Sequence, residues 1–359
     1  VMGDRRLQAR NGIATGLVVI GNLHGEIASN ALDVAGETPN LAARLQGVAD
    51  PNAIVVATDT RKQVGDLFEW GDLGSLRLKG LPDEIHAWEV IGTKAVTSRY
   101  DAQHDSGLAP MLGRDEQRDE LLVRWRDACS GTGRVALILG EGGVGKSRMA
   151  AAILEETTER HVLRYFCSPH RQGSPLHPYA QQIEWAAGFA REDSNDAKLD
   201  KLDASLVGAS VQDKALLAEI VNVSVGNRFP IPMLTPLTKR RLTLQALLSV
   251  LERLARERPT LVVFEDAQWI DETSRELLAL TVARAAELPV LLLVLARPEF
   301  APAWISLPHV SRITLAPLSP AIGAALVHIV AKDASLPPRI VVRIVSRSDG
   351  IPLYIEELT

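Results

Sequence analysis

The chain has 359 residues, enough for two or three domains at ~100–200 residues each. Hydrophobic residues make up 46% and charged residues 23%, the balance of an ordinary folded protein, and a net charge of −5 gives no hint of a nucleic-acid or anionic-membrane partner. Cys129 and Cys167 are too few and too far apart for a metal site, and the longest apolar run, Leu288 to Ala296, is far shorter than the ~20 residues of a bilayer span.

In chain order, residues 11–27 are β-branched and apolar with Gly12, Gly16 and Gly21 between, which predicts short strands and tight turns. No charged-then-apolar leader precedes them, so a cytoplasmic protein with free thiols and no membrane or nucleic-acid partner is expected. Asn40 to Val48 is predicted as a helix with Leu41, Ala42, Leu45 and Val48 on one stripe. AIVVAT (53–58), SLRLKG (75–80) and HAWEVIG (86–92) are strand patterns, and the polar stretch 93–110 is a linker.

A different pattern follows. Glu116 to Cys129 is an amphipathic helix, VALILG (135–140) a buried strand, and Ser147 to Glu156 a second helix. A mostly helical insertion spans 177–257. TLVVFED (260–266) and VLLLVLA (290–296) are two more buried strands, and helices are expected near 319–332 and 337–346. Strands alternating with helices predict an α/β fold with a parallel sheet. His170 and His177, without a second ligand pair, are expected to be ordinary loop residues.

The strongest signal is GEGGVGKS, 140–147, which satisfies G-x-x-x-x-G-K-[ST] between a predicted strand and a predicted helix. The plain alternative is a Gly-rich turn that happens to contain Lys-Ser. Gly140, Gly142, Gly143 and Gly145 let backbone N–H groups converge on phosphate oxygens, and the helix start adds the positive end of its dipole. Lys146 would reach the terminal phosphates, Ser147 would hold Mg²⁺, and Arg148 follows as a further cofactor-binding candidate. Glu265 and Asp266, closing the strand LVVFED, are the candidate metal ligand and general base, in an order the sequence leaves open.

From 111 to 359 the chain resembles the STAND-type P-loop ATPases related to the AAA class, which are regulatory nucleotide switches. The resemblance rests on MLGRDEQ (111–117), the phosphate loop, VVFEDAQWID (262–271), LARPEF (295–300) and GIPLYIEEL (350–358). It implies that the entry segment with Arg114 packs on the adenine side. It also implies that Arg297 senses phosphate and that Gly350 and Pro352 lie near the nucleotide. Family members usually carry His where Gln268 stands, and Gln268 is given no catalytic role.

Near the N-terminus, ALDVAGETPNLAARL (31–45) spaces Asp33, Asn40 and Arg44 so that Asn40 and Arg44 share a helix face. Spacing alone favours an Asn40 helix cap and a solvated Arg44. With RNGIATGLVVIG, LRLKG and HAWEVIG, however, the segment resembles the C-terminal half of a class III nucleotidyl cyclase domain, an α+β ferredoxin-like piece. The resemblance implies that Asn40 orients the ribose, Arg44 stabilises phosphate charge, Asp33 reads adenine and Lys79 contacts a phosphate. It also makes a homodimer through this piece a reasonable expectation. The metal-binding aspartates of such a domain lie upstream of the matching half, and Asp4 has no strand context. Cyclase inactivity and a raw sheet edge are therefore expected for this chain.

Together these readings predict an ATP-binding, Mg²⁺-dependent signalling protein: an inactive cyclase half (1–92), a linker, an ATPase (111–315) and the start of a helical lid (316–359). An unknown protein partner would act through a region beyond this chain. The alternative is a nucleotide-latched regulator with little turnover, of the kind found among transcriptional regulators; the absence of a basic helix weighs against the DNA-binding version.

Overall fold

The computed structural model describes residues 8–21, 33–81, 83–93, 110–190, 192–230, 233–332 and 336–359. The chain divides into two compact units, Val1–Leu108 and Ala109–Thr359. Most of the expected linker, and residues 22–27 of the first strand region, fall outside the described residues.

The first unit is α+β. It contains β1 (Asn11–Ile13), β2 (Val19–Gly21), β3 (Asp33–Ala35), α1 (Glu37–Val48), β4 (Ile54–Ala57), α2 (Thr58–Val64), β5 (Phe68–Leu76) and β6 (Ile85–Thr93). The main sheet has the order β1-β4-β6-β5, while β2 and β3 form a separate antiparallel pair. Leu45 and Ala49 of α1 and its C-cap close a small core with Val55, Ala57, Leu78 and Ala87.

Three sequence expectations are corrected here. α1 begins at Glu37 with Gly36 as its N-cap, so Asn40 is inside the helix and does not cap it. Val48 is 46% exposed, and Ala49 takes the buried place expected of it. Of the predicted strand 75–80 only Ser75 and Leu76 are strand, the end of the longer Phe68–Leu76, which pairs along β6 through two register shifts that break the alternation, and 77–80 lead into a turn.

The second unit is built on a five-stranded, all-parallel sheet. Its elements are α3 (Asp115–Cys129), β7 (Arg134–Leu139), α4 (Lys146–Glu156), β8 (His161–Phe166), α5 (His177–Ala187), α6 (Asn195–Ser205), α7 (Val211–Ile220), α8 (Pro236–Glu257), β9 (Thr260–Glu265), α9 (Glu272–Ala285), β10 (Val290–Ala296) and β11 (Val310–Thr314), followed by α10 (Pro320–Val330), α11 (Pro338–Arg347) and α12 (Pro352–Leu358). The strand order is β11-β7-β10-β9-β8, with β7 between β11 and β10.

Alternation along the buried strands splits the core in two. Leu137, Leu139, Val262, Phe264, Leu292 and Val294 face one way, toward the insertion helices and α9. Ala136, Ile138, Leu261, Val263, Leu293 and Leu295 face the other, toward Leu121 and Trp125 of α3 and Met149 and Ile153 of α4. Helices therefore cover both faces, as continuous apolar strands require. A third cluster, with Leu326, Val327, Val341, Ile344 and Ile355, holds α10–α12 together. His177, expected in a loop, is the first residue of α5, because Pro178 at its second position suits a helix start.

Candidate functional site

The phosphate loop leaves the C-terminal end of β7 and enters α4 through Gly145, a left-handed N-cap with φ 103°. The connection leaving β7 runs to β8 at one edge of the sheet, and that leaving its neighbour β10 runs to β11 at the other, so the loop lies where the strand order reverses, the position where open α/β sheets bind ligands. A Cβ placed on Gly142 or Gly145 would meet no atom within 4 Å, so the loop is open beside these two residues. Lys146 Nζ donates to the carbonyls of Gly140 at 2.7 Å and Glu141 at 2.9 Å. Burial lowers the Lys146 pKa from its ordinary value, while Asp266 acts in the opposite sense and Arg297 adds to the lowering. These three charges thus act on one small region.

The loop is tied to the end of β9 by one hydrogen bond. Ser147 Oγ donates to Glu265 Oε2 at 2.9 Å. The other oxygen, Oε1, accepts from the Arg164 guanidinium at 3.1 Å, and both side chains are about nine-tenths buried. Arg164 is on β8, where its backbone pairs with Val263, so it reaches Glu265, the partner of Phe166, along the diagonal of the ladder. Burial raises the Glu265 carboxyl pKa, and Arg164 and Ser147 pull against that rise. The stacked rings of Tyr165 and Phe264, with centroids 4.4 Å apart, belong to the apolar floor of the same strands.

Asp266 points elsewhere. Its backbone is left-handed, φ 55° and ψ 40°, and it opens a short 3₁₀ turn over Ala267–Trp269. Its Oδ1 accepts from Gln268 Nε2 at 3.1 Å, and Gln268 Oε1 accepts from the backbone N–H of Arg297 at 3.1 Å. The Arg297 guanidinium carbon lies 5.8 Å from the centroid of the Trp269 ring. Asp271 then caps α9, accepting from Ser274 N at 2.9 Å and also from Leu176 N at 3.2 Å.

The remaining candidates distribute as follows. Arg114 is buried at the start of α3 and donates to the Ala316 carbonyl, which ties the entry segment to the connection after β11. Arg148 pairs with Glu155 on its own helix. Gly350, at φ 72°, accepts from Leu318 N at 2.7 Å through its carbonyl, and a Cβ there would lie 2.4 Å from the Leu318 carbonyl. Pro352 is the first residue of α12, and the next N–H, that of Leu353, donates to the Gly143 carbonyl at 3.3 Å. The Gly-x-Pro turn therefore rests on the phosphate loop.

In the first unit, Asn40 and Arg44 are both exposed on α1. The Lys79–Gly80 turn comes close to Arg44, whose guanidinium lies 3.9 Å from where a Cβ on Gly80 would be. Lys79 is exposed. The Asp33 backbone pairs with Gly21 in the β2–β3 ladder, and its side chain is outside the described residues.

Sequence reasoning missed Arg164 and set Gln268 aside. Arg164 sits among the apolar residues of HVLRYF, and a lone cation in a buried strand is a signal that it has a partner. Gln268 carried no such signal, because both of its partners are backbone or side-chain groups at strand ends brought together only by the sheet.

A phosphate loop on a parallel sheet of this order, with acids at the end of β9, one strand removed from β7 across β10, defines a P-loop nucleoside-triphosphatase fold. Residues 110–294 match the family described as AAA ATPase domain, and residues 1–92 match the adenylate and guanylate cyclase catalytic domain. The chain belongs to the AAA ATPase domain family, with a cyclase-family module fused before it. An uncharacterized protein of Rhizobium meliloti is 31% identical over 99% of this chain and 35% of its own length. A pH-sensitive adenylate cyclase of Mycobacterium tuberculosis is 32% identical over 28% of this chain and 24% of its own. The chain thus spans about a third and about a quarter of these two relatives. A solved STAND protein with a tetratricopeptide repeat sensor, from Pyrococcus horikoshii, is 12% identical over 69% of this chain and 29% of its own, with a TM-score of 0.36. Among the described residues no helix is long and apolar enough to cross a membrane.

Proposed function

We propose that the larger unit binds ATP with Mg²⁺ at the 140–147 loop and hydrolyses it, as the nucleotide switch of a signalling protein that also carries a cyclase module. The carrying observation is the 2.9 Å hydrogen bond from Ser147 Oγ to Glu265 Oε2. It joins the loop hydroxyl to a buried strand-end carboxylate, a set of hard oxygen donors that suits Mg²⁺. The open face at Gly142 and Gly145 likewise suits a phosphate chain.

On this reading the two acids divide their work. Ser147 and Glu265 are the residues that would hold Mg²⁺, which supplies charge neutralisation at the phosphates. Asp266, held away from Ser147 by Gln268, is the general base. It takes the proton of a water whose oxygen attacks the γ-phosphorus, and the bond to the bridging oxygen breaks to leave ADP and phosphate. Lys146 exchanges its two loop carbonyls for phosphate oxygens. Arg297, on its Trp269 platform, answers to the terminal phosphate.

The test compares binding of a fluorescent ATP analogue and phosphate release in the parent, Lys146→Ala and Asp266→Asn. Binding should fall in the first variant, and release alone in the second. Lys146→Ala binding nucleotide as the parent does would sink the reading.

A second reading, a latch that holds ATP with little turnover, is favoured by the Leu353–Gly143 hydrogen bond, since the C-terminal turn already lies on the loop. Tight binding without phosphate release in the parent would select it. For residues 1–92 we propose a half-site, in which Asn40, Arg44, Lys79 and Asp33 would face nucleotide. Cyclisation of ATP requires a pair of metal-holding carboxylates beside these four residues, and a homodimer of the whole protein would bring such half-sites together. Cyclic AMP formed by this chain alone would overturn that proposal.

A further inference from the structure

Gln268 spans the space between the two strand ends that carry Asp266 and Arg297. The β9–β10 ladder ends at the pair Phe264–Val294, so beyond it no backbone hydrogen bond of that ladder holds the two ends in register. Gln268 supplies the link: Nε2 to Asp266 Oδ1 at 3.1 Å, and Oε1 to the Arg297 N–H at 3.1 Å. The orientation of the amide is dictated by chemistry. A backbone N–H can only donate, so the carbonyl end of the amide faces Arg297 and the amino end faces the carboxylate. Asp266 occupies a left-handed conformation that an aspartate tolerates and does not prefer. Trp269, next in the same turn, lies beside the Arg297 guanidinium. The turn 267–269 thus grips Arg297 at its backbone and at its side chain while orienting Asp266.

We propose that Gln268 is a positioning residue that locks the Asp266 carboxylate and Arg297 together, so that base and phosphate-sensing arginine respond to the terminal phosphate as one unit. The proposal rests on the ATPase reading of the site and deepens it. It requires a side chain that offers one donor and one acceptor at once.

Three variants of the full chain separate the parts. Gln268→Leu removes both bonds at similar size. Gln268→Glu keeps the acceptor for Arg297 and sets a second carboxylate against Asp266. Gln268→His offers one ring nitrogen as donor and the other as acceptor. Each is measured for single-turnover phosphate release, for affinity toward a fluorescent non-hydrolysable ATP analogue and toward ADP, and for melting temperature.

Gln268→Leu should release phosphate about 10- to 100-fold more slowly and lose preference for the triphosphate, with ADP affinity changed by less than about threefold. Gln268→Glu should lose release yet keep most of the preference. Gln268→His should recover most of both. Release and preference unchanged in Gln268→Leu would overturn the proposal, as would a Gln268→His that folds like the parent and behaves like Gln268→Leu. If the parent holds ATP without turnover, the ATP-over-ADP preference alone decides by the same criteria. If parent binding is absent or indifferent to Lys146→Ala, the ATPase reading fails and this proposal with it; normal Lys146-dependent binding with an unaltered Gln268→Leu defeats the positioning role alone.

Discussion

The backbone N–H of Leu353 donates to the carbonyl of Gly143, 3.3 Å away, and thereby seats the start of α12 on the middle of the phosphate loop. Gly143 permits this seat. Its φ of +79° is left-handed, and a Cβ there would lie 2.9 Å from Leu353 Cβ and 3.1 Å from Ile351 Cγ2. Gly143→Ala should therefore push the 350–353 turn off the loop. Limited trypsin digestion should then cut faster at Arg339, Arg343 and Arg347. An unchanged digestion rate would show that the turn does not depend on this contact.

Arg164 and Glu265 form a buried pair, with side chains 10% and 8% exposed. Removing one partner strands the other charge in an apolar setting, which costs about 3–5 kcal/mol. Arg164→Met should lower the urea midpoint accordingly. The double variant Arg164→Met, Glu265→Gln should recover much of the loss, because no buried charge is left unpaired. Equal losses for the single and double variants would contradict this account.

The first unit is held by a close approach of α1 to β1. A Cβ on Gly12 would lie 2.1 Å from the Ala42 carbonyl oxygen and 2.2 Å from Gln46 N, both backbone atoms that cannot swing aside. Gly12→Ala should destabilise this unit by about 1–3 kcal/mol, the usual range for overpacking. Hydrogen exchange should rise across α1 and β4 while the β7–β10 strands stay protected. Unaltered exchange in α1 would refute it.

His177 gives a pH signature. Burial and Arg171 depress its pKa, against a smaller raising effect of Asp271. The unfolded chain, with an ordinary value near ~6.5, therefore binds more protons than the folded one between the two pKa values. The His177 contribution to stability is present above ~6.5 and declines as pH falls toward the lower folded value. His177→Gln should flatten the stability profile in that window, measured by urea unfolding at a series of pH values. A profile with the same slope would exclude this origin.

The legible parts of the chain were those whose chemistry is local. GEGGVGKS carries its glycines, lysine and serine in one stretch, and TLVVFE and VLLLVLA are apolar without interruption, as central strands must be. β8 and β11 escaped notice because they lie at the two edges of the sheet, where His161, Arg164, Ser311 and Arg312 interrupt the apolar run. α1 was legible as a helix, but its start was not. Gly36 has no side chain with which to announce a cap, and Asn40 looked like a better one.

Sequence alone was sufficient for the two-family make-up of the chain, the α/β class of its larger unit and the loop that defines the candidate site. The family make-up follows from the resemblance of ordered motifs to known families, and the class and the loop from residue order and the period of apolar positions, which short-range sterics and hydrogen bonding convert into strands, helices and turns. Only the tertiary structure decided which acid faces Ser147, what neutralises it, and what links Asp266 to Arg297. Glu265 and Asp266 are adjacent in the chain, yet Asp266's left-handed backbone turns it toward Gln268 while Glu265 stays in its strand between Ser147 and Arg164. Those partners come from strands and loops far apart in sequence, and only burial in a shared sheet brings them within hydrogen-bond reach.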